Sequence, residues 1–244
     1  SAARRRLTQA GQRIVMNDYR LKTDVLVIGS GISGIGAVAL LEKYHADVVL
    51  YDSSDKLTKE DLEAKLPGES KAVCIAGELP EEVELSIQAA VLSPGVPTDI
   101  PLVNRMRDRG VQILGEIELG FLAEQGRVIA ITGTNGKTTT TTLTGEIMKA
   151  HFGAEKTFVV GNIGNPYTLE VTKTSKDSVT VGEISSFQLE TIHTFHPVVS
   201  AILNITPDHL NRHHTMEEYI RVKELITRNQ GPEDVCVLNY EDEV

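Results

Sequence analysis

The chain reads as short apolar runs separated by glycine turns and by longer stretches of helical period. Residues 24–28, 47–51, 71–75, 89–92 and 112–114 form one series of runs. Residues 128–131, 157–160, 178–183, 198–203 and 235–238 form a second. Runs of about four to eight residues, apolar nearly throughout and bounded by turns, suit parallel strands covered on both faces. Segments 32–41, 56–66 and 101–109 carry helical patterns, and a Thr-rich stretch turns helical through Leu143, Ile147 and Met148. Residues 116–124 read as a connector. Alternation of this kind predicts an α/β protein, and 244 residues accommodate two modest domains better than one.

Two of the turns carry chemistry. In the first series, the strand ending at Ile28 runs into Gly29-Ser30-Gly31-Ile32-Ser33-Gly34, then an apolar helix, then a strand ending at Asp52. Strand, G-x-G-x-x-G, helix, strand and acid is the dinucleotide-binding fingerprint. Its glycines let the backbone approach a diphosphate at the helix N-terminus, and the acid meets ribose hydroxyls. By itself it admits NAD, another diphosphate nucleotide, or a tight turn needed for helix packing. In the second series, Thr132-Gly133-Thr134-Asn135-Gly136-Lys137-Thr138-Thr139 joins strand to helix. Inward-facing N–H groups and the helix N-terminus favour the phosphates of ATP. Lys137 would reach the outer phosphates, and the Thr138 hydroxyl would ligate Mg²⁺. Ile131 stands where the longer G-x-x-x-x-G-K-T loop has its first glycine, so this is a shortened variant. The expected architecture is a Rossmann-like domain over residues 21–122, followed by a P-loop mononucleotide-binding α/β domain over 123–244.

Further candidates lie at strand ends. Ser93-Pro94-Gly95-Val96-Pro97 is a rigid loop at the edge where a doubly wound sheet keeps its ligand crevice, though a plain Pro-Gly turn looks the same. Glu183 ends its run where the second Mg²⁺ ligand of a nucleotide site falls; a solvated strand-end glutamate is the alternative. His209 stands just past a strand, in place for a metal or a carboxylate, and His213 and His214 beside it read as solvated. Lys223 is the odd residue. Met216, Tyr219, Ile220 and Ile226 make one helical face, and Lys223 falls in its middle. A bare ammonium there is unfavourable. Either it snorkels outward, or it is paired or chemically altered.

Composition narrows the partners. A formal net charge of −10 argues against nucleic acid, which demands Lys/Arg surfaces. Phosphorylated ligands then need cations or metal concentrated locally. No run of about 18 apolar residues offers a membrane span. Cys74 and Cys236 sit in apolar runs and read as reduced core residues, which points to a cytoplasmic protein. Residues 1–20 carry Arg4, Arg5, Arg6 and Arg13 ahead of the first acid, Asp18, without the apolar core of a secretory signal. They read as a leader, disordered or added, outside the fold.

Four motifs in order, TGTNGKTTTTTLTGEI, GNIGNP, EISSFQLETI and LNITPDHLNRHHTMEEYIRVK, resemble the Mur ligases, and the resemblance runs over about residues 25–239. It implies an ATP-dependent amide ligase of peptidoglycan synthesis, in which a carboxylate is phosphorylated and an amine attacks the acyl phosphate. In such chains the domain of residues 29–34 holds a UDP-sugar rather than NAD. The Ser185-Ser186-Phe187-Gln188-Leu189 run is most similar to members that join D-glutamate to UDP-N-acetylmuramoyl-L-alanine, so these are the implied partners.

Carried over by position, Ser30, Gly31, Ile32, Asp52, Ser53 and Ser54 contact uridine diphosphate, with Ser93, Pro94 and Gly95 nearby. Asn162 lies near the phosphate and muramoyl groups. Thr138 and Glu183 take one Mg²⁺ and His209 a second. Lys223 matches the lysine that the family carbamylates with CO₂, which turns a cation into a carboxylate able to approach the metal. Lys137, His209 and Lys223 are thus the implied catalytic residues. Asn211 departs from the Asp usual at that place. The resemblance also implies an incomplete central domain and a C-terminal domain absent from this sequence. Other readings stay open: another ligase of Mur or folylpolyglutamate type, a non-catalytic UDP-sugar or nucleotide-binding module, or an NAD-dependent dehydrogenase, which leaves the phosphate loop unexplained.

Overall fold

A computed structural model describes residues 24–163, 165–242 and 244; the leader expected at 1–20 lies outside them. The chain forms two compact units. Among the described residues, one holds 24–123 together with Tyr167–Thr172, and the other holds Glu124–Pro166 and Lys173–Val244.

In the first unit, β1 (Asp24–Ile28), β2 (Asp47–Asp52), β3 (Val73–Ala76), β4 (Ala89–Leu92) and β5 (Gln112–Gly115) pair in parallel, in the order β3-β2-β1-β4-β5. β4 is buried along its whole length, as its unbroken apolar sequence requires. Helices α1 (Ile32–Lys43), α2 (Lys59–Glu63), α3 (Glu81–Ser86), α4 (Pro101–Asp108) and α5 (Glu116–Ala123) connect the strands. Leu26, Ile28, Tyr51, Ala90 and Leu92 of the sheet pack with Val103 and Met106 of α4. The order reverses between β1 and β4, so Gly29 and Ser93 meet at the carboxyl ends, with Ser93 N donating to Ile28 O at 3.0 Å.

Residues 116–124 are not a connector. All but Glu124 form α5, and every residue of that helix is buried. Its glutamates disguised it as a polar link, although Glu116 and Glu118 are both buried and Glu116 finds its partner at Thr168, far along the chain. The helix expected over 56–66 is shorter, α2, and starts at a capping box between Thr58 and Asp61.

In the second unit, β6 (Arg127–Thr132), β7 (Thr157–Gly161), β8 (Val179–Glu183), β9 (Val199–Ile202) and β10 (Val235–Leu238) are again parallel, in the order β10-β9-β6-β8-β7. The helices that follow β6 in the chain are α6 (Lys137–Phe152), α7 (Tyr167–Glu170), α8 (Ser186–Leu189), α9 (Leu210–His213) and α10 (Met216–Glu224). α6 lies close on the sheet because Gly145 carries no side chain; a Cβ there would stand 2.6 Å from Val159 Cγ2. Its packing edge is therefore Thr141, Gly145 and Met148, while Leu143 and Ile147 are 60% and 53% exposed. All residues of β10 are exposed at the sheet edge. Cys236 on it is consequently not a core residue, whereas Cys74 is buried, and both are free thiols. Among the described residues no helix is long and apolar enough to cross a membrane.

α7 belongs with the first unit, although the chain reaches it from β7. Thr168 donates to Glu116 Oε1 through both N and Oγ1, at 2.7 and 2.9 Å. Burial pushes the Glu116 carboxyl up, and hydrogen bonds from Thr168 and Tyr167 pull it back. Two glycines clear the slot. A Cβ at Gly36 would stand 2.6 Å from Thr168 Oγ1, and one at Gly120 2.7 Å from Tyr167 Cγ. Gly120→Ala is therefore expected to destabilise the protein by about 1–3 kcal/mol through overpacking. Gly68→Ala, at a position where an added Cβ meets nothing within 4 Å, leaves stability nearly unchanged. Thermal unfolding compares the two, and equal melting temperatures would contradict this packing.

Candidate functional site

β6 delivers the glycine loop of the second unit. Gly133 has φ 151° and Gly136 has φ 79°, a region that side chains disfavour. Gly136 is the N-cap of α6 and makes no side-chain cap, so the first N–H groups of a 16-residue helix stay available to an anion. Lys137 folds back over the loop, with Nζ donating to Thr134 O at 2.9 Å. Thr138 Oγ1 donates to Glu183 Oε2 at 2.9 Å, and Asn162 Nδ2 donates to Glu183 Oε1 at 2.8 Å. Strand pairing brings these together, because Glu183 stands opposite Ile131 of β6 and Gly161 of β7. Glu183 is 1% exposed, so it is not a solvated strand end. Thr139 follows on the open side of α6.

The loop is clamped from just beyond the end of β9 by a residue that sequence reasoning passed over. Asn204 Oδ1 accepts from Asn135 N at 2.8 Å, its Nδ2 donates to Asn135 O at 3.0 Å, and its carbonyl accepts from Thr134 N at 2.9 Å. The signal was a polar residue closing an apolar strand.

Lys223 does not snorkel. It is 1% exposed on α10, and Nζ donates to Gly133 O at 2.9 Å and to Thr132 Oγ1 at 3.4 Å. The ammonium also lies 4.8 Å from the centre of the Tyr219 ring, whose hydroxyl is 3.2 Å from Thr134 Oγ1. Burial, and after it the charge of Lys137, pushes Lys223 down to about 8, while Asp208 opposes them.

His209 is half exposed at the start of α9, in the left-handed region at φ 51°, with Nε2 3.4 Å from Asp208 Oδ2. His213 is not solvated. It is buried, with Nε2 2.9 Å from Ser186 Oγ and its ring against Phe187 and Tyr219. Burial pushes its pKa down. Its partner lies 27 residues away in sequence, which is why its neighbours in the chain misled. His214 and Asn211 are exposed.

The donors around Glu183 fit a hard divalent cation. A hydroxyl and a carboxylate are oxygen ligands of the kind Mg²⁺ takes, and a buried carboxylate met by two neutral donors gains from a cation. Among the described residues no three His, Cys, Asp or Glu side chains converge as a metal cage. A Mg²⁺ at Glu183 would therefore take its remaining oxygens from phosphates and water, as this ion commonly does.

The first unit has a cavity of about 430 Å³ whose lining includes Gly29, Tyr51, Asp52, Ser53, Gly95 and Pro97. Ser30 lies in the turn above Asp52, and Ser93 Oγ donates to Gly29 O at 3.1 Å. Pro94 is half-buried in the following loop. Ile32 is largely exposed at the start of α1, and an added Cβ at Gly31 would meet nothing within 4 Å. Asp52 is already engaged. Its Oδ2 accepts from Ser30 N and Oγ at 2.9 and 2.6 Å, and its Oδ1 from Ser54 N at 3.1 Å. Burial pushes Asp52 up, but these bonds and the nearby charge of Lys65 outweigh it and leave the carboxyl below its ordinary range.

Comparison with known proteins agrees across both units. The family model for the Mur ligase middle domain matches residues 131–244, and that for the Mur ligase MurD-like N-terminal domain matches residues 23–115. A curated UDP-N-acetylmuramoylalanine--D-glutamate ligase of Lachnospira eligens is 59% identical over 225 residues, covering 92% of this chain and 49% of that protein. The protein of the same name from Clostridioides difficile is 48% identical over 221 residues, covering 90% and 48%. This chain thus spans about half the length of the curated relatives it matches. Among solved structures, a UDP-N-acetylmuramate:L-alanyl-gamma-D-glutamyl-meso-diaminopimelate ligase from Neisseria meningitides aligns with a TM-score of 0.53 at 14% identity, covering 91% of this chain and 72% of that one. A murein peptide ligase from Psychrobacter arcticus aligns at 0.51 and 14%, covering 90% and 49%. At that identity the two structures speak to the fold alone. Two parallel α/β units, each matched by its own model in chain order, place the chain in the Mur ligase family.

Proposed function

We propose that this chain supplies the acceptor and nucleotide sites of a cytoplasmic, ATP-dependent ligase that joins D-glutamate to UDP-N-acetylmuramoyl-L-alanine in peptidoglycan synthesis. The observation that carries the nucleotide half is Thr138 of the glycine loop bonded to the buried Glu183. The names of the relatives at 59% and 48% identity support the two substrates.

In this reading the N–H groups at the start of α6 hold the outer phosphates, and Lys137 exchanges Thr134 O for a phosphate oxygen. Thr138 Oγ1 and the Glu183 carboxylate are the oxygen ligands for Mg²⁺, and Asn162 fixes the direction of that carboxylate. His209 is the proposed ligand for a second ion. Bound Mg²⁺ would screen the repulsion between ATP and an anionic acceptor. The alanyl carboxylate takes the terminal phosphoryl group and ADP leaves. The amine of D-glutamate then displaces phosphate and gives up a proton. Lys223 is proposed to carry a carbamate: its neutral amine adds to CO₂, forming the N–C bond and releasing one proton. Its burial beside Gly133 and its lowered basicity favour the neutral amine that this addition needs. On the acceptor side, the cavity at Gly29 and Asp52 takes the uridine end, which sets this reading against a nicotinamide cofactor.

Lys137→Ala should weaken binding of an ATP analogue by about 1.5–3 kcal/mol, the worth of a hydrogen bond to a charged group, with an unchanged melting temperature. Unchanged affinity in calorimetry contradicts the phosphate role.

For Lys223 the sign is set by its depressed basicity. Below about 8 the ammonium predominates and is inert to CO₂, and above it the free amine predominates. NMR with ¹³C-bicarbonate should therefore show a carbamate carbon that grows as pH rises through that value and is missing from Lys223→Arg. Ligation by the full-length enzyme should fall by about 10²-fold or more in that variant. A resonance that survives the substitution, or full activity of Lys223→Arg, contradicts the carbamate.

A further inference from the structure

Apart from Lys65, the glycine turn of the first unit offers a diphosphate neutral groups and one acid. Asp52 is ionised there, and a diphosphate set beside it would meet like charge. Lys65, which carried no signal in the sequence, changes that balance. Its Nζ donates to Ser30 Oγ at 2.9 Å and to Ser30 O at 3.3 Å, and Ser30 Oγ passes a hydrogen bond to Asp52 Oδ2 at 2.6 Å.

The backbone places this lysine. Leu62 of α2 is fully buried, α2 is fixed at its start by the Thr58–Asp61 capping box, and Lys65 N donates to Leu62 O at 3.1 Å. The side chain then reaches back 35 residues to the turn. Ser30 and Ser54 already supply Asp52 with three donors, and the charge of Lys65 is the smallest of the influences that hold its carboxyl low. An ammonium has three protons, and Ser30 engages two of them. The space next to the turn is open, because an added Cβ at Gly31 would meet nothing within 4 Å, and the cavity at Gly29 and Asp52 adjoins it.

We propose that Lys65 is the cation that binds the diphosphate of the acceptor at the glycine turn, and that it sets preference for a nucleoside diphosphate over the uncharged nucleoside. This rests on the acceptor reading of the first unit. Ser30 presents the lysine, and the lysine offsets Asp52 so that the acid can stay ionised next to an anion. The point charge of an ammonium suits a phosphate that is not held in a bidentate fork.

Calorimetry on this chain with uridine, uridine monophosphate and uridine diphosphate tests the proposal. Lys65→Ala should weaken the diphosphate about tenfold and leave uridine unchanged, and Lys65→Arg should restore most of the loss. Added salt should weaken the diphosphate more in the wild type than in Lys65→Ala. Equal weakening of uridine and the diphosphate would show that Lys65 only props Ser30 and Asp52, and would overturn the proposal. So would a diphosphate affinity indifferent to the substitution. A wild-type chain that binds none of the three removes the acceptor reading together with the proposal.

Discussion

Glu183 keeps a carboxylate buried at the end of β8, with the Thr138 hydroxyl on one oxygen and the Asn162 amide on the other. A charge withdrawn from water in this way is expensive unless a cation or strong donors compensate. The arrangement depends on register. Ile131, Glu183 and Gly161 stand side by side in β6, β8 and β7, so Thr138 at the start of α6 and Asn162 in the turn after β7 converge on one group. A slip of one residue in β8 would turn the glutamate to the other face of the sheet. Strand pairing therefore comes before chemistry here. The apolar runs that drive pairing are what make the site possible.

The first unit uses the same geometry for a different end. Gly29, Asp52 and Ser93 also lie where parallel strands finish, but Asp52 spends its oxygens on Ser30 and Ser54, which tightens the turn itself. The glycine fingerprint alone could not separate these uses, because a turn that cradles a ligand and a turn that packs a helix need the same missing side chains. The chain also returns to this unit after β7. The segment beyond the loop of Asn162 becomes α7, held by Glu116 and by the two glycines that make room for it.

What could be read in advance was whatever is contiguous in sequence. The phosphate loop, the glycine turn and the strand ending in Glu183 are local patterns with local physical causes. Lys223 announced itself as a charge inside an apolar stripe, but the sequence left two outcomes, and its bond to Gly133 lies 90 residues away. His213 was misjudged for the same reason, since Ser186 and Tyr219 rather than its histidine neighbour decide its burial. Asn204, Lys65 and Glu116 act only through partners distant in the chain. The helix through Leu143, Ile147 and Met148 was legible, but which side of it approaches the sheet was not, because Gly145, a residue without hydrophobicity, decides that.

The central claim is that Glu183 and Thr138 form the protein's half of a magnesium site. Its most direct test is calorimetric binding of a non-hydrolysable ATP analogue to wild type and Glu183→Gln, each with and without Mg²⁺. The substitution keeps the shape of the side chain and removes the charge. The expected result is that Mg²⁺ tightens binding to the wild type and has little effect on the variant, while the variant binds the metal-free analogue no more weakly. An equal gain from Mg²⁺ in both proteins would contradict the assignment.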